Sequence, residues 1–120
     1  MLGTAASGPA DRVLGVIPAR LGAERLPGKP LRLLGNKPLI QRVALNARAS
    51  GALDEIVVAS DADEVLEAAQ AVGVRGVRTR GDHTSGTSRV GEVAELAEFR
   101  DFAIVVNVQG DEPFLPAAAI

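Results

Sequence analysis

The 120-residue sequence contains no cysteine, tryptophan or tyrosine, and it has only one histidine. Without cysteine, the chain can form neither a disulfide framework nor a zinc site built on thiolates. No apolar run is long enough to cross a bilayer as a helix, and the first dozen residues lack the basic start and apolar core of a secretory signal. The formal net charge of −2 gives no general attraction to nucleic acid or to an anionic membrane surface. These absences favour a cytoplasmic protein with no nucleic-acid partner and no membrane insertion.

The composition that remains is typical of a folded domain. Hydrophobic residues make up 47% of the chain and charged residues 23%, which is a globular balance. A chain of this length fits one domain and should bury roughly two-thirds of its unfolded surface. Residues 1–12 are mostly small or polar, and we expect them to form a loose N-terminal extension.

Apolar strands and amphipathic helical segments alternate from residue 13 onward, in the order βαβαβαβ. The predicted strands are residues 13–17, 56–59, 74–79 and 102–108. Two of the predicted helices are residues 39–50 and residues 87–99. Between them, a third helix is predicted to be capped by Ser60 or Asp61 and to end at residue 72. Strands separated by helices favour a parallel sheet with right-handed crossovers. The sequence therefore predicts an α/β fold.

A glycine- and arginine-rich loop, residues 18–31, follows the first predicted strand. Its glycines allow backbone N–H groups to approach an anion closely, and Arg20, Arg25 and Lys29 add three cations. This pattern indicates a site for a nucleoside triphosphate. The alternative is a proline- and glycine-shaped turn with solvated charges, because the Walker pattern is absent.

Two further polar segments follow the third and fourth predicted strands. Residues 79–89 contain the lone His83, and residues 109–113 contain Asp111. Ligands of parallel sheets bind beyond the carboxyl ends of the strands, so all three loops can contribute to one composite site. The alternative for residues 79–89 is a polar loop leading into a helix capped by Ser85 or Thr87, with the histidine as a hydrogen-bonding residue.

Residues 109–113 also allow two interpretations. A carboxylate directly after a very apolar strand is well placed to hold Mg²⁺, which prefers oxygen ligands. Asp111 and Glu112 can equally be solvated carboxylates of a turn.

Together these segments closely resemble the 3-deoxy-manno-octulosonate cytidylyltransferases, also called CMP-Kdo synthetases. The matching motifs, which cover almost the whole chain, are Ile17-Pro-Ala-Arg20, Arg25-Leu-Pro-Gly-Lys-Pro-Leu31, Gly35-Asn-Lys-Pro-Leu39, Thr79-Arg80, Asp82-His83, Ser85-Gly-Thr87 with Arg89, and Val106-Asn-Val-Gln-Gly-Asp-Glu-Pro113. The related sialic-acid cytidylyltransferases share the general first loop. The combination of Asp-His-x-Ser-Gly-Thr with Gln-Gly-Asp-Glu-Pro is similar to the Kdo family.

The resemblance implies a truncated Rossmann-like fold of the nucleotide-diphospho-sugar transferase type, with a mainly parallel sheet flanked by helices. Residues 13–120 would form the N-terminal nucleotide-binding part of a cytidylyltransferase domain, since the family is about twice as long. The implied reaction transfers CMP from CTP to 3-deoxy-D-manno-octulosonate (Kdo) and releases pyrophosphate, for lipopolysaccharide biosynthesis. The other half would supply most of the sugar pocket, a second metal-binding carboxylate and the contacts of a homodimer.

The resemblance also implies roles for individual residues. Lys29 and Asp111 would be catalytic, and Asp111 would coordinate Mg²⁺. The nucleotide-binding residues would be Arg20, Arg25, Lys29, Arg80, Asp82, His83, Ser85, Arg89 and Gln109. Two alternatives remain: a nucleotide-binding fragment without catalytic activity, and a nucleotidyltransferase that acts on another sugar acid.

Overall fold

A parallel sheet flanked by helices forms the centre of the computed structural model, which describes residues 12–20 and 29–108. The strands are β1 (Val13–Pro18), β2 (Leu33–Leu34), β3 (Lys37–Pro38), β4 (Glu55–Ser60), β5 (Arg75–Arg78) and β6 (Ile104–Asn107). The helices are α1 (Leu39–Ala49), α2 (Asp63–Ala71) and α3 (Gly86–Glu95), with short 3₁₀ turns at Lys29–Leu31 and Ala97–Phe99. The predicted α/β order is confirmed.

The main sheet has the order β5-β4-β1-β6, and all its neighbouring strands are parallel. Strand β1 lies inside this sheet, with Gly15 opposite Ile56 on one side and Val106 on the other. Alternate β1 side chains face opposite sides, and both sides are covered by helices. This double burial explains why β1 reads as a continuous apolar run.

Two apolar clusters fill the space on the two faces of the sheet. On one face, α1 and α2 pack against residues that include Ile17 and Val58. On the other face, α3 and Phe99 pack against residues that include Leu14 and Val16. Because the helices cover both faces, the amino and carboxyl edges of the sheet are where polar loops collect.

The glycines that follow two of the helices mark their ends as expected. Gly51 has a φ of 70° just beyond α1, and Gly73 has a φ of 79° just beyond α2. Glycine reaches this left-handed region without a steric penalty. The ends of these helices are therefore confirmed to within one residue.

Two predictions about the helices are wrong. The N-cap of α2 is Ala62, which makes no side-chain capping bond, while Ser60 Oγ accepts a hydrogen bond from the Ala62 N–H at 3.2 Å. The predicted helix 87–99 ends at Glu95, because Leu96 is extended and a separate 3₁₀ turn follows. That turn places Phe99 in the core, so tertiary packing overrides helix continuation here.

Sequence reasoning also missed the two-stranded antiparallel sheet of β2 and β3. Leu33 pairs with Pro38 and Leu34 with Lys37 around a tight turn at Gly35, whose φ is 71°. The Gly-Asn dipeptide at residues 35–36 is a turn signal that predicts such a hairpin.

Only Arg12 of the predicted N-terminal extension lies within the described residues. Its carbonyl accepts hydrogen bonds from the N–H groups of Ala103 and Ile104, and its guanidinium lies 4.4 Å from the centre of the Phe102 ring. The division into residues 1–12 and 13–120 stays a prediction. Among the described helices, none combines the length and the apolar character needed to cross a bilayer.

Substituting Gly76 should destabilise the fold, because this glycine lets α2 approach β5 closely. A Cβ atom at residue 76 would lie 3.1 Å from Leu66 Cβ and 3.3 Å from the Leu66 Cα, and backbone atoms cannot rotate away. We expect Gly76→Ala to lower the free energy of unfolding by about 1–3 kcal/mol, as overpacked cores do. Urea unfolding monitored by circular dichroism would measure it.

A matched control is Gly91→Ala in α3, where an added Cβ meets no atom within 4 Å. Alanine has a higher helix propensity than glycine, so the free energy of unfolding of this variant should rise by roughly 0.5–1 kcal/mol. Equal unfolding midpoints for the two variants would contradict the packing of α2 on β5.

Candidate functional site

Polar side chains gather where the parallel strands end. Arg20 follows β1, Asp61 follows β4, and Thr79 and Arg80 follow β5. The Thr79 N–H donates to the Ser60 carbonyl at 3.0 Å, which joins the ends of β4 and β5. This carboxyl edge is where open α/β sheets bind their ligands.

Arg20 connects two of the three predicted loops. Its Nη1 donates a hydrogen bond to the His83 carbonyl at 3.3 Å, although the two residues are 63 positions apart. The loop after β1 and the loop after β5 therefore meet at the carboxyl edge. The third predicted segment, residues 109–113, lies outside the described residues.

The His83 ring is held between two side chains of α3. Its Nδ1 lies 3.0 Å from Ser88 Oγ, and its Nε2 lies 2.6 Å from Glu92 Oε1. Ser88 and Glu92 are one helical turn apart, so both reach the same ring. The His83 side chain is only 5% exposed, and both ring nitrogens have protein partners.

Glu92 holds the loop after β5 onto α3. Besides contacting the His83 ring, its Oε1 accepts a hydrogen bond from the Arg80 N–H at 3.1 Å. Partial burial by itself raises the pKa of Glu92, but the hydrogen bonds from His83 and Arg80, together with their charges, outweigh it. The pKa of Glu92 therefore lies below its ordinary value of 4.5, and the side chain is a carboxylate at neutral pH.

The lowered pKa of Glu92 predicts a specific acid sensitivity. A carboxyl group with a lower pKa in the folded chain stabilises it above the unfolded value, and this stabilisation disappears as pH falls through the folded value. We therefore expect Glu92→Gln to be less stable than the unsubstituted chain at pH 7, and the difference to shrink below about pH 4.5. Urea unfolding between pH 3 and pH 7 would measure the change.

The control for this experiment is Glu95→Gln, at an exposed position of the same helix. That variant should follow the pH dependence of the unsubstituted chain. A stability difference for Glu92→Gln that stays constant from pH 7 to pH 3 would contradict the lowered pKa.

Arg89 lies on α3 beneath the loop and is 1% exposed. Its Nη1 donates to Thr79 Oγ1 and lies 3.7 Å from Asp61 Oδ1, while its buried Nε has no acceptor among the described residues. Burial lowers the pKa of Arg89, the Asp61 carboxylate opposes this, and the nearby charge of Arg20 adds to the lowering. Two guanidinium groups thus lie close enough to repel each other at the carboxyl edge.

The start of α3 adds to this positive potential. Ser85 is the N-cap, and its Oγ accepts the Ser88 N–H at 3.1 Å. A Cβ added to Gly86 would lie 3.0 Å from Pro18 Cγ, so the first turn of α3 lies against the end of β1. A helix N-terminus beside two arginines is a favourable environment for an anion.

Arg80 and Asp82 form the exposed rim of this edge. Arg80 Nε lies 3.3 Å from Asp82 Oδ1, and the two side chains are 65% and 77% exposed. An ion pair this exposed contributes little to stability, so both side chains are free to exchange partners.

The structure thus brings six predicted site residues to one edge of the sheet: Arg20, Arg80, Asp82, His83, Ser85 and Arg89. Lys29 begins the 3₁₀ turn Lys29–Leu31. Arg25, Gln109 and Asp111 lie outside the described residues. Within the described ranges, no group of three or more acidic or histidine side chains is arranged to hold a metal ion.

Sequence reasoning missed Glu92 and Asp61. The available signal for Glu92 was its spacing from Ser85 and Ser88. Residues three and four positions apart lie on the same face of a helix, so these three form a polar stripe on α3. The signal for Asp61 was its position directly after an apolar strand. The sequence analysis interprets this residue as a candidate helix cap instead.

Comparison with known proteins yields several strong matches. A model of the cytidylyltransferase family matches residues 14–120. The chain is 55% identical over 108 residues to the 3-deoxy-manno-octulosonate cytidylyltransferase of Gemmatimonas aurantiaca, covering 90% of this chain and 42% of that relative. It is 51% identical over 105 residues to the protein of that name from Pseudomonas fluorescens, covering 88% and 41%.

A solved structure of CMP:2-keto-3-deoxy-manno-octonic acid synthetase complexed with CTP has the same fold. It superimposes with a TM-score of 0.83 at 42% identity, over 91% of this chain and 44% of that one. The chain therefore spans less than half the length of these relatives.

Proposed function

Because this chain belongs to the cytidylyltransferase family, we propose that it forms the nucleotide-binding part of an enzyme that transfers CMP from CTP to Kdo and releases pyrophosphate. The shared name of its two curated relatives supports Kdo as the acceptor. The structurally similar synthetase, solved with CTP, supports CTP as the donor. The product would serve lipopolysaccharide biosynthesis in the cytoplasm, and the full-length protein would be a homodimer, as the family resemblance implies.

The observation that carries this proposal is the contact of Arg20 with the His83 carbonyl. It places a cation of the glycine-rich loop beside the start of α3 and close to Arg89, at the edge where parallel sheets bind nucleotides. Attack on the α-phosphorus requires neutralised charge and a fixed geometry rather than covalent catalysis by the protein. The Arg20 and Arg89 guanidinium groups and the N-terminus of α3, which lie at this edge, support the first requirement.

The proposed roles divide the site into a phosphate side and a base side. Arg20, Arg25 and Lys29 bind the triphosphate, and Gln109 contacts the nucleotide or the sugar. Arg80 and Asp82 lie at the exposed rim, where their side chains can meet the cytidine. Behind them, Ser85, His83 and Arg89 shape the pocket.

The proposed Mg²⁺ site depends on Asp111. The described carboxylates at this edge already have cationic partners, since Asp61 lies near Arg89 and Asp82 pairs with Arg80. Within the part of the chain that the structure describes, they do not form a group of three ligands that could hold a metal ion. When bound, Mg²⁺ would neutralise part of the triphosphate charge.

Calorimetric titration with CTP and UTP in the presence of Mg²⁺ tests the nucleotide assignment. We expect saturable binding that prefers CTP, because a site with fixed hydrogen-bond partners rejects a base that leaves them unpaired. Lys29→Ala should weaken this binding by removing a phosphate partner, whereas Lys37→Ala in β3 should not. A folded chain that binds neither nucleotide, or both equally, would overturn the assignment.

Pyrophosphate release distinguishes an enzyme from a module that only binds. Release from CTP that requires both Mg²⁺ and Kdo supports the transferase. Binding of CTP without release supports the non-catalytic alternative for this chain. Release with a different sugar acid in place of Kdo supports the other alternative.

A further inference from the structure

The contacts around His83 form a chain that runs from α3 to Arg20. Glu92 on α3 contacts the His83 ring at Nε2, Ser88 contacts it at Nδ1, and the His83 carbonyl accepts the hydrogen bond from Arg20 Nη1. We propose that His83 and Glu92 are positioning residues that act together as a clamp and fix the Arg20 guanidinium for binding a polyphosphate. This inference rests on the proposed function, in which Arg20 binds the triphosphate of CTP.

Burial separates the clamp residues from the ligand. The side chain of His83 is 5% exposed and that of Glu92 is 17% exposed. With both ring nitrogens engaged by α3, the ring has no free hydrogen-bonding atom for a nucleotide. His83 therefore reaches the ligand through its carbonyl and Arg20 rather than through its imidazole.

Arg20, in contrast, is half-buried, and its guanidinium donates one hydrogen bond within the described residues. Among the described residues, the His83 carbonyl is the only hydrogen-bond partner of its side chain. A guanidinium group has five N–H donors, so one bond to a carbonyl orients it and leaves others for an anion. The orientation depends on the carbonyl staying in place, which is what the two ring contacts secure.

Glu92 strengthens the clamp by holding the same loop at a second point. Its Oε1 also accepts the Arg80 N–H at 3.1 Å and lies 3.6 Å from Arg80 Nη1. One carboxylate on a rigid helix thus fixes the loop at residues 80 and 83. Pre-organised cations bind an anion more tightly, because less conformational freedom is lost on binding.

A double-mutant cycle with inorganic tripolyphosphate as the probe tests this inference. In the chain that retains Arg20, Glu92→Ala should weaken tripolyphosphate binding about tenfold, within the range of coupling between contacting residues. In the Arg20→Ala background, the same substitution should change binding less than about twofold, because nothing is left to position. Equal effects in the two backgrounds would overturn the clamp.

Further variants separate positioning from a general loss of structure. Glu92→Gln keeps an oxygen that accepts the Arg80 and His83 hydrogen bonds, so it should recover most of the binding even if Glu92→Ala fails to fold. His83→Gln keeps a donor toward Glu92 and should bind more tightly than His83→Ala. Glu95→Ala, on an exposed position of α3, should leave binding unchanged. A glutamine variant no better than its alanine counterpart would contradict the clamp.

Parallel titrations with CTP and UTP keep the two proposals distinguishable. Coupling of Glu92 to Arg20 without a preference for CTP would support the clamp and overturn the nucleotide assignment. A preference for CTP without coupling would do the reverse. A folded chain that binds neither tripolyphosphate nor nucleotide would overturn both.

Discussion

Replacing Phe99 with alanine is expected to lower the free energy of unfolding by about 3–5 kcal/mol, a large part of the total for a domain of this size. Phe99 is 1% exposed and belongs to the apolar cluster between α3 and the sheet. Its removal loses the transfer free energy of a whole ring and leaves a cavity, which the rigid sheet cannot close. Urea unfolding would measure the loss, and a thermal scan should show the melting temperature falling by about 10–20 °C.

Phe102→Ala is the matched control for this prediction. The two rings are neighbours, with centroids 6.4 Å apart, but Phe102 is only half-buried. Truncation of Phe102 removes less buried apolar surface than truncation of Phe99, so it should lower the free energy of unfolding by about 1–2 kcal/mol. If the two variants lost equal stability, the separate 3₁₀ turn that places Phe99 in the core would be wrong.

The same experiment bears on the site, because Phe99 anchors the end of α3. Arg89 and Glu92 lie on this helix, and Ser85 caps its beginning. A loosened α3 would therefore disturb the carboxyl edge. The apolar cluster on this face of the sheet and the candidate site therefore share the helix α3.

The sheet and the helices α1 and α2 were predictable from the sequence because their signals are local. Val13–Pro18 is an uninterrupted apolar run, and Gly51 and Gly73 end helices where glycine is needed. The end of α3 was not predictable from periodicity. Apolar residues continue past Glu95, and only the space beneath the sheet decides that the chain turns and buries Phe99.

The site was predictable at the level of loops but not at the level of contacts. The topology rule places the carboxyl ends of parallel strands at one edge of the sheet, so Arg20 and the segment from Arg80 to Arg89 were expected at the same edge. The rule does not say which atoms meet. The His83 imidazole faces α3 and contacts the Glu92 carboxylate, nine positions further along the chain. This contact follows from how α3 packs against the loop.

Exchanging Arg89 for methionine should have opposite effects on the free and the nucleotide-bound chain. Without nucleotide, we expect the free energy of unfolding to stay unchanged or rise by about 1 kcal/mol, because the cost of burying the guanidinium exceeds the attraction of its exposed Asp61 partner. Burial and the charge of Arg20 both lower the pKa of Arg89. The protonated guanidinium is therefore less favourable at this position than in water. The Asp61 carboxylate is 42% exposed, so water can solvate it after its partner is removed.

With saturating CTP and Mg²⁺, the order of stability should reverse. A polyphosphate bound as proposed would relieve the repulsion between Arg20 and Arg89, so we expect the loss of one cation to weaken CTP binding about tenfold. A ligand that binds the folded chain stabilises it in proportion to the logarithm of its affinity. CTP should therefore raise the free energy of unfolding more for the unsubstituted chain than for Arg89→Met.

Urea unfolding of both chains, with and without CTP, measures this crossing directly. Arg100→Met, at an exposed arginine beyond α3, should show neither effect. If Arg89→Met is less stable without nucleotide and gains as much from CTP as the unsubstituted chain, Arg89 acts only as a structural link between Thr79 and Asp61. If the order reverses, the buried cation is retained because the anion it attracts offsets the cost of its burial.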